Sequence, residues 1–428
     1  MKHVLMKLPA LGLAIVVLLS ACGTPATPEP TPAPTSMPTA VATDVPAEQP
    51  GVATPAVTAD PSEPVMVVTP ETPGVCQAAP LPEVSVRPVD ETDWVKGANP
   101  EEAEITLFEY SDFQCPGCAG MYPIIQDFLD VNTHVRLVYR HFPLDLHVHA
   151  EITAEAAEAA GAQGKFWEMH DLLFDRAGEW NALSAEDIRT RLSDYAEELG
   201  LDLEAFDAAL DNHTYLDKIR SQYAEAAEMR LGGTPTFIFN NLLFPSDIGL
   251  SFQGLTAYLN ILEQQDEIFY DAPPEATVGA DDEIEAVLKT SKGDIRVHLL
   301  PASAPVHVNS FVFLAEEQWY NGSEFFFVRD NFVAVTGDPT NSTVGYPGYY
   351  CQGETQGVFD RAGLVGMLAN GQFFVTLGSD AAQLNSQFAL VGQVIEGLDI
   401  LDELTRVLVG DPTALPADVL ESVEIIDN

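Results

Sequence analysis

Two cysteines three positions apart, Cys115 and Cys118, are the residues in this chain best suited to chemistry. They stand in the run Ser111-Asp112-Phe113-Gln114-Cys115-Pro116-Gly117-Cys118. A C-x-x-C pair can cycle between a dithiol and a disulfide. The alternatives are a zinc corner and an inert structural disulfide. Zinc wants a second C-x-x-C or a histidine pair at ligand spacing. No second C-x-x-C is present, and His141, His147 and His149 downstream read as solvent-facing or hydrogen-bonded in place. No metal or other cofactor is therefore expected. Exchange chemistry needs a thiolate, and a free cysteine ionises only near about 8.5.

The flanking elements must lower that value. Residues 105–110 are β-branched and aromatic, which reads as a buried strand. Residues 121–131 carry Ile124, Ile125, Phe128 and Leu129 at helical spacing. The motif thus opens a helix, whose N-terminal N–H groups and positive dipole end favour a thiolate at Cys115. Pro116 suits the first helical turn because its missing N–H has no helical partner. A second strand follows at 135–140, then a helical stretch. Ser184 with Asp187 marks one helix start, Gly200 its stop, and Asp202 caps another. Gly232-Gly233-Thr234-Pro235-Thr236 then leads into a strand, and a last helix covers about 252–264. Trp167 reads as core, and Glu109 and Asp112 as solvated acids beside the motif.

The chain has 428 residues, long enough for two domains. Nineteen basic against 65 acidic residues leave a net charge of −46. Repulsion excludes a nonspecific nucleic-acid binder and docking on anionic lipid by charge. Lys2 and Lys7 precede an apolar run at 8–19 that is short for a membrane span. The run ends in Leu19-Ser20-Ala21-Cys22, which resembles a bacterial lipobox. That resemblance implies a signal peptide over 1–22, lipid on Cys22, and an extracytoplasmic, membrane-anchored protein. Residues 23–89 are rich in Pro, Thr and Ala, with no Lys or Arg between Lys7 and Arg87, and read as a disordered tether. The first folded domain is expected at 90–266 and a linker at 267–282. The second domain, 283–428, opens on a hairpin around Ser291-Lys292-Gly293, then a helix, then short apolar stretches punctuated by glycine, the pattern of a β-barrel.

The first domain resembles the thioredoxin fold, an α/β fold here carrying a helical insertion, and within it the DsbA-like thiol–disulfide oxidoreductases. The resemblance rests on the motif with its preceding Phe108-Glu109-Tyr110, on Tyr139-Arg140-His141-Phe142-Pro143-Leu144, and on Gly233-Thr234-Pro235-Thr236. It implies that Cys115 is the exposed nucleophile, that Cys118 is the buried resolving thiol, and that Pro235 is cis beside the sulfurs. It also implies that the Thr234 backbone pairs with a bound peptide. The second domain resembles cyclophilin, a closed barrel with peptidyl-prolyl isomerase activity. Its landmarks are Lys292-Gly293-Asp294, Asn309-Ser310-Phe311, Trp319-Tyr320-Asn321-Gly322, Phe332, Thr336-Gly337-Asp338 and Gln372-Phe373-Phe374. The departures are as informative. The position of the family's catalytic arginine holds Phe327, with Arg329 two residues on; its glutamine is Val335, its tryptophan Gln383 and its histidine Phe388. An apolar proline pocket of Phe332, Val333, Phe374 and Leu384 survives, so the expected domain is a degenerate, peptide-holding one. Cys76 and Cys351 remain unassigned and are expected either to pair or to stand as separate thiols. The favoured function is an extracytoplasmic oxidoreductase acting on exported polypeptides and recharged by an unknown redox partner. A bifunctional factor with a working isomerase and a non-catalytic scaffold lipoprotein are the alternatives.

Overall fold

The structure, a computed structural model, describes residues 73–408 and 415–427. The signal peptide, Cys22 and the tether up to residue 72 lie outside them.

The chain enters through β1 (Val75–Ala78), then β2 (Trp94–Gly97) and β3 (Ile105–Ser111). Next come α1 (Pro116–Val131) and β4 (Val135–His141). Six helices follow: α2 (Ala150–Gly161), α3 (Phe166–Asp175), α4 (Ala177–Trp180), α5 (Ala185–Glu198), α6 (Leu203–Asp211) and α7 (Leu216–Glu228). β5 (Thr236–Phe239), β6 (Leu242–Leu243) and α8 (Phe252–Ile268) complete the first domain. Its sheet runs β2-β4-β3-β5-β6, with β3 and β4 parallel and the other pairs antiparallel. This is the expected thioredoxin arrangement, with α2–α7 as the insertion. All seven residues of β3 are buried because helices cover both faces of the sheet. On one face Leu107, Leu137 and Phe239 pack against α1 and α8; on the other Phe108, Tyr110, Val138 and Ile238 meet Ala226 of α7. The insertion has its own core around Phe166, Met169, Leu173, Trp180, Leu192 and Phe206, and both motif cysteines sit at its edge. Ser184 and Asp202 cap α5 and α6 as expected, accepting from Asp187 N and Ala205 N at 3.1 Å each. Arg140 is fully buried, bonded to Asp93 (3.0 Å), Glu225 (2.6 Å) and Tyr110 Oη (3.0 Å). A buried guanidinium is tolerable only with such complete pairing.

The second domain contains β7 (Ile284–Thr290), β8 (Gly293–Leu299), α9 (Pro305–Glu316), β9 (Ser323–Glu324) and β10 (Phe327–Val328). After these come β11 (Val333–Thr336), β12 (Tyr349–Gln352), β13 (Leu364–Met367) and β14 (Phe373–Thr376). β15 (Ala389–Glu396), α10 (Leu398–Glu403) and β16 (Val419–Asp427) end the domain. Nine strands form one sheet in the order β10-β11-β14-β13-β15-β8-β7-β16-β9. Its two edge strands, β9 and β10, are joined by only Phe325 and Phe326. So short a link holds the edges side by side and curls the sheet round a core of Leu288, Val297, Phe311, Phe373 and Val391.

Two segments expected to be free connections are packed. In the tether, Val75–Ala78 form β1, which pairs with β12, and Leu81 is buried in the core of the first domain. Leu243 N donates to Pro82 O and Val84 N to Asn241 O, both at 2.8 Å. In the linker, Tyr270 N donates to Pro347 O at 3.0 Å, and Asn309 Oδ1 accepts from Thr277 N (2.8 Å) and Val278 N (3.1 Å). Within these polar stretches Leu81 is buried and Phe269 and Tyr270 are half-buried against the domain cores. Cys76 and Cys351, register partners across β1 and β12, are disulfide-bonded.

Candidate functional site

β3 ends at Ser111, and Asp112-Phe113-Gln114 turns the chain into α1. Asp112 holds this turn: Oδ1 accepts from Gln114 N at 2.8 Å, and Oδ2 accepts from Leu144 N at 2.9 Å and meets His147 Nδ1 at 2.7 Å. Gln114 ties in two more loops through His149 N (2.6 Å) and Asn181 O (3.1 Å). The three histidines are thus fixed in place, with His141 Nε2 on Glu158 Oε1 at 3.0 Å and His149 Nε2 on Leu183 O at 2.9 Å. Among the described residues, no group of three or more His, Cys, Asp or Glu is arranged to hold a metal ion.

Cys115 is the N-cap of α1 and Pro116 its first residue. The Thr234–Pro235 peptide is cis, and the Cys115 thiol donates to Thr234 O at 3.3 Å. A Cβ on Gly117 would lie 3.2 Å from Pro235 Cδ and 3.6 Å from Cys115 Sγ, so the small residue lets loop and helix meet. Both motif cysteines are free thiols. The exposed nucleophile expected at 115 is corrected here: Cys115 is 7% exposed, against 0% for Cys118. The Thr234–Pro235 loop and the edge of the helical insertion cover it. The order of access expected of the pair nevertheless holds.

The two thiols are displaced in opposite directions. Cys115 is held down at about 5, chiefly by the hydrogen bond from the Cys118 thiol. Burial opposes this, while the Thr234 side chain and the Cys118 and Gly117 N–H groups support it. Cys118 is pushed far up, first by burial and then by its bond to Cys115. The helix N-terminus anticipated as the main cause is thus a lesser contributor than the partner sulfur.

Glu109 and Asp112, expected to be solvated, are both buried. Burial raises Glu109 to about 7, with Ser111 pulling the other way. Tyr139, its register partner on β4, is raised well above its ordinary value by burial and by the charges of Glu109 and Cys118. Glu109 was legible as a motif neighbour. Its burial was not, because a strand covered on both faces has no solvated side.

In the second domain, Phe332, Val333, Phe374 and Leu384 fall in one cluster, as expected. The same cluster contains Phe327, Val335 and Phe388, the residues at the positions that depart from cyclophilin. Phe374 packs edge-on to Phe388 at 5.4 Å and Phe332 edge-on to Phe327 at 6.2 Å. Val333 and Phe374, expected to contact substrate, are buried by this filling, which leaves Phe332 and Leu384 half-buried at the rim. Gln383 stands outside, exposed, donating to Asp380 O at 2.8 Å. The Arg329 guanidinium lies over the Phe332 ring, 4.1 Å from its centroid.

Residues 90–259 match the thioredoxin family model and residues 286–425 that of the cyclophilin type peptidyl-prolyl cis-trans isomerases. The chain joins a thioredoxin domain to a cyclophilin-type domain. Among curated proteins it is similar to Na(+)/H(+) antiporter NhaA 1 of Salinispora arenicola, 44% identical over 36% of this chain and 22% of that one. Na(+)/H(+) antiporter NhaA of Herminiimonas arsenicoxydans is 40% identical over 38% and 24%. The chain thus spans about a quarter or less of the length of these relatives. No helix among the described residues is long and apolar enough to cross a membrane. Among solved structures, a thioredoxin-like oxidoreductase from Silicibacter pomeroyi is 28% identical, covering 41% of this chain and 94% of that one, with a TM-score of 0.35. A cyclophilin type isomerase from Cryptosporidium parvum is 23% identical over 34% and 99%, with a TM-score of 0.29.

Proposed function

We propose that this protein is a DsbA-like thiol–disulfide oxidoreductase acting on exported polypeptides through Cys115 and Cys118. The carrying observation is the placement of Cys115 at the N-cap of α1, 3.3 Å from Thr234 O on the cis-proline loop, with Cys118 fully buried; the opposite displacement of the two thiols supports it. Titratable neighbours whose environments push them apart divide the roles between them. Cys115, held near 5, is a thiolate at neutral pH and the better leaving group. It forms the mixed disulfide with the client, and Cys118 resolves it. A stabilised thiolate favours the reduced pair, which inclines the disulfide form toward oxidising clients. Thr234, beside the sulfur on the cis-proline loop, is the residue to which a client backbone would pair.

In this reading lipid on Cys22 anchors the protein outside the cytoplasm, an unknown partner reoxidises the pair, and the cyclophilin-type domain holds client segments. Phe332 and Leu384 offer a shallow apolar rim for such segments, with weak or lost isomerase activity. The Arg329 guanidinium over Phe332 favours the second reading, a working isomerase with a relocated cation. Refolding of a reduced, unfolded client tests the first reading: the oxidised protein should restore its disulfides, and Cys115→Ser should not. A reduction potential of the pair near that of structural disulfides, measured against glutathione, would count against the oxidising direction. Prolyl isomerisation in a protease-coupled assay separates the second.

A further inference from the structure

Six apolar side chains ring the cyclophilin-type pocket and are only half-buried: Phe327, Phe332, Val335, Leu368, Leu384 and Phe388. All six pack against one buried cluster that contains Val333, Phe359 and Phe374. Apolar groups left half in water over one continuous cluster mark a surface that another segment covers. The Arg329 guanidinium stands over the Phe332 ring and makes no ion pair among the described residues. An apolar surface with a cation at its edge suits an apolar segment that carries acids.

The chain itself supplies such a segment. Residues 57–72 lie outside the described residues, and within them Pro64-Val65-Met66-Val67-Val68-Thr69-Pro70 carries four consecutive large apolar side chains. Glu63 and Glu71 flank this run, and no Lys or Arg occurs between Lys7 and Arg87. In water such a run costs free energy that docking on an apolar surface recovers.

The described chain starts close to that surface. A Cβ on Gly353 would lie 2.6 Å from Pro73 O, and a Cβ on Gly74 would lie 2.6 Å from Glu354 Cδ. The Cys76–Cys351 bond, three residues past Pro73, fixes this point. Four residues beyond Gly353, Gly357 N donates to Phe388 O at 3.3 Å, and Ser386 N donates to Gly357 O at 2.9 Å. Phe359 follows, inside the buried cluster. Four residues span at most about 14 Å, and the five from Val68 to Pro73 at most about 18 Å. The apolar run therefore reaches Phe388 and the surface beyond it.

We propose that residues 65–68 of the tether dock on this aromatic surface of the second domain, with Glu63 facing Arg329. Phe327, Val335 and Phe388, which replace the family's polar groups, make the surface apolar enough to take aliphatic side chains. The contact is intramolecular, so the run is presented at an effective concentration on the order of millimolar. A client segment then reaches Phe332 and Leu384 only by displacing the tether. No part of this involves Cys115 or Cys118, so it stands apart from the oxidoreductase reading.

The test is photocross-linking of the full chain with benzoylphenylalanine in place of Met66, followed by mapping of the linked peptides. The links should join position 66 to residues 327–335 or 384–388 within one chain. Their yield should be unchanged on about hundredfold dilution, as an intramolecular contact requires. Val65→Asp together with Val67→Asp should lower the yield by about tenfold or more, because burying charge opposes docking. Arg329→Glu should lower it too, and Glu63→Arg added to that variant should restore it. Near-ultraviolet circular dichroism checks that each variant keeps its fold. Links elsewhere on the chain, or an undiminished yield in the aspartate variant, would overturn the proposal. An Arg329→Glu yield equal to the wild type's would overturn the pairing with Glu63. Links between chains that fade on dilution would make a second copy the occupant and overturn it as well. So would a reduced, unfolded client that links to residues 327–335 or 384–388 equally well in the wild type and the aspartate variant, since the surface would then stand open to clients.

Discussion

Removing the Cys118 thiol should release Cys115 from its low pKa. In the reduced protein that thiol donates the hydrogen bond that contributes most to holding Cys115 near 5. A hydrogen bond to a charged group contributes about 1.5–3 kcal/mol, and one pKa unit corresponds to about 1.4 kcal/mol. Cys118→Ala should therefore raise Cys115 by roughly 1–2 units. Thiolate absorbance and the pH dependence of alkylation by iodoacetamide both read the midpoint. The wild type should show one near 5, well below the value of an ordinary cysteine. The same displacement appears in stability. The folded value lies below the unfolded one, so the stabilisation of the reduced protein is complete above the unfolded pKa and is lost as pH falls through about 5. A wild-type midpoint above about 8, or a Cys118→Ala midpoint equal to the wild type's, would refute the assignment of the partner sulfur as the cause.

Glu109 should give the opposite pH signature. Its folded value is raised to about 7, so its contribution is complete below the unfolded value and lost as pH rises through 7; denaturation midpoints of Glu109→Gln should lack that decline. Replacing Cys76 and Cys351 together by alanine should lower stability by up to about 5 kcal/mol on the loop-entropy scale, given a separation of 275 residues. Urea unfolding of both forms would show it, and equal midpoints would mean that β1 holds without the bond. Phe327→Arg should return a cation to the isomerase position and raise prolyl isomerisation by at least about tenfold, since a single positioned donor is commonly worth more than that. No gain in the protease-coupled assay would mean that the residue at position 327 does not limit isomerisation.

The fold was legible from elements with strong local signals. The strand before the motif, the caps at Ser184 and Asp202 and the hairpin at Lys292-Gly293 each follow from residue type alone. What escaped was long-range. Pro/Ala-rich residues 73–89 give no periodicity, yet Leu81 finds a core and β1 finds an edge at β12. The burial of Cys115 depends on the Thr234 loop, 119 residues away, closing on it. Glu109 looked like a solvated acid because a single strand does not announce that both faces of its sheet are covered.

The two sites are in different physical condition, and that bears on how the domains divide the work. At the redox site the neighbours of the sulfurs are polar: the Thr234 carbonyl lies 3.3 Å from Cys115 Sγ, Asp112 fixes the turn, and burial raises Glu109 to about 7. In the cyclophilin-type pocket the polar positions have gone apolar, and the new residues pack on the old ones, Phe388 on Phe374 and Phe327 on Phe332. Filling a pocket with aromatic rings gains buried apolar area and removes the desolvation of an arginine and a histidine. The same change takes away the charge that would act on a twisting prolyl amide. This domain is tied to the first one through β1, which is bonded to it at Cys351 and continues into the first domain's core at Leu81.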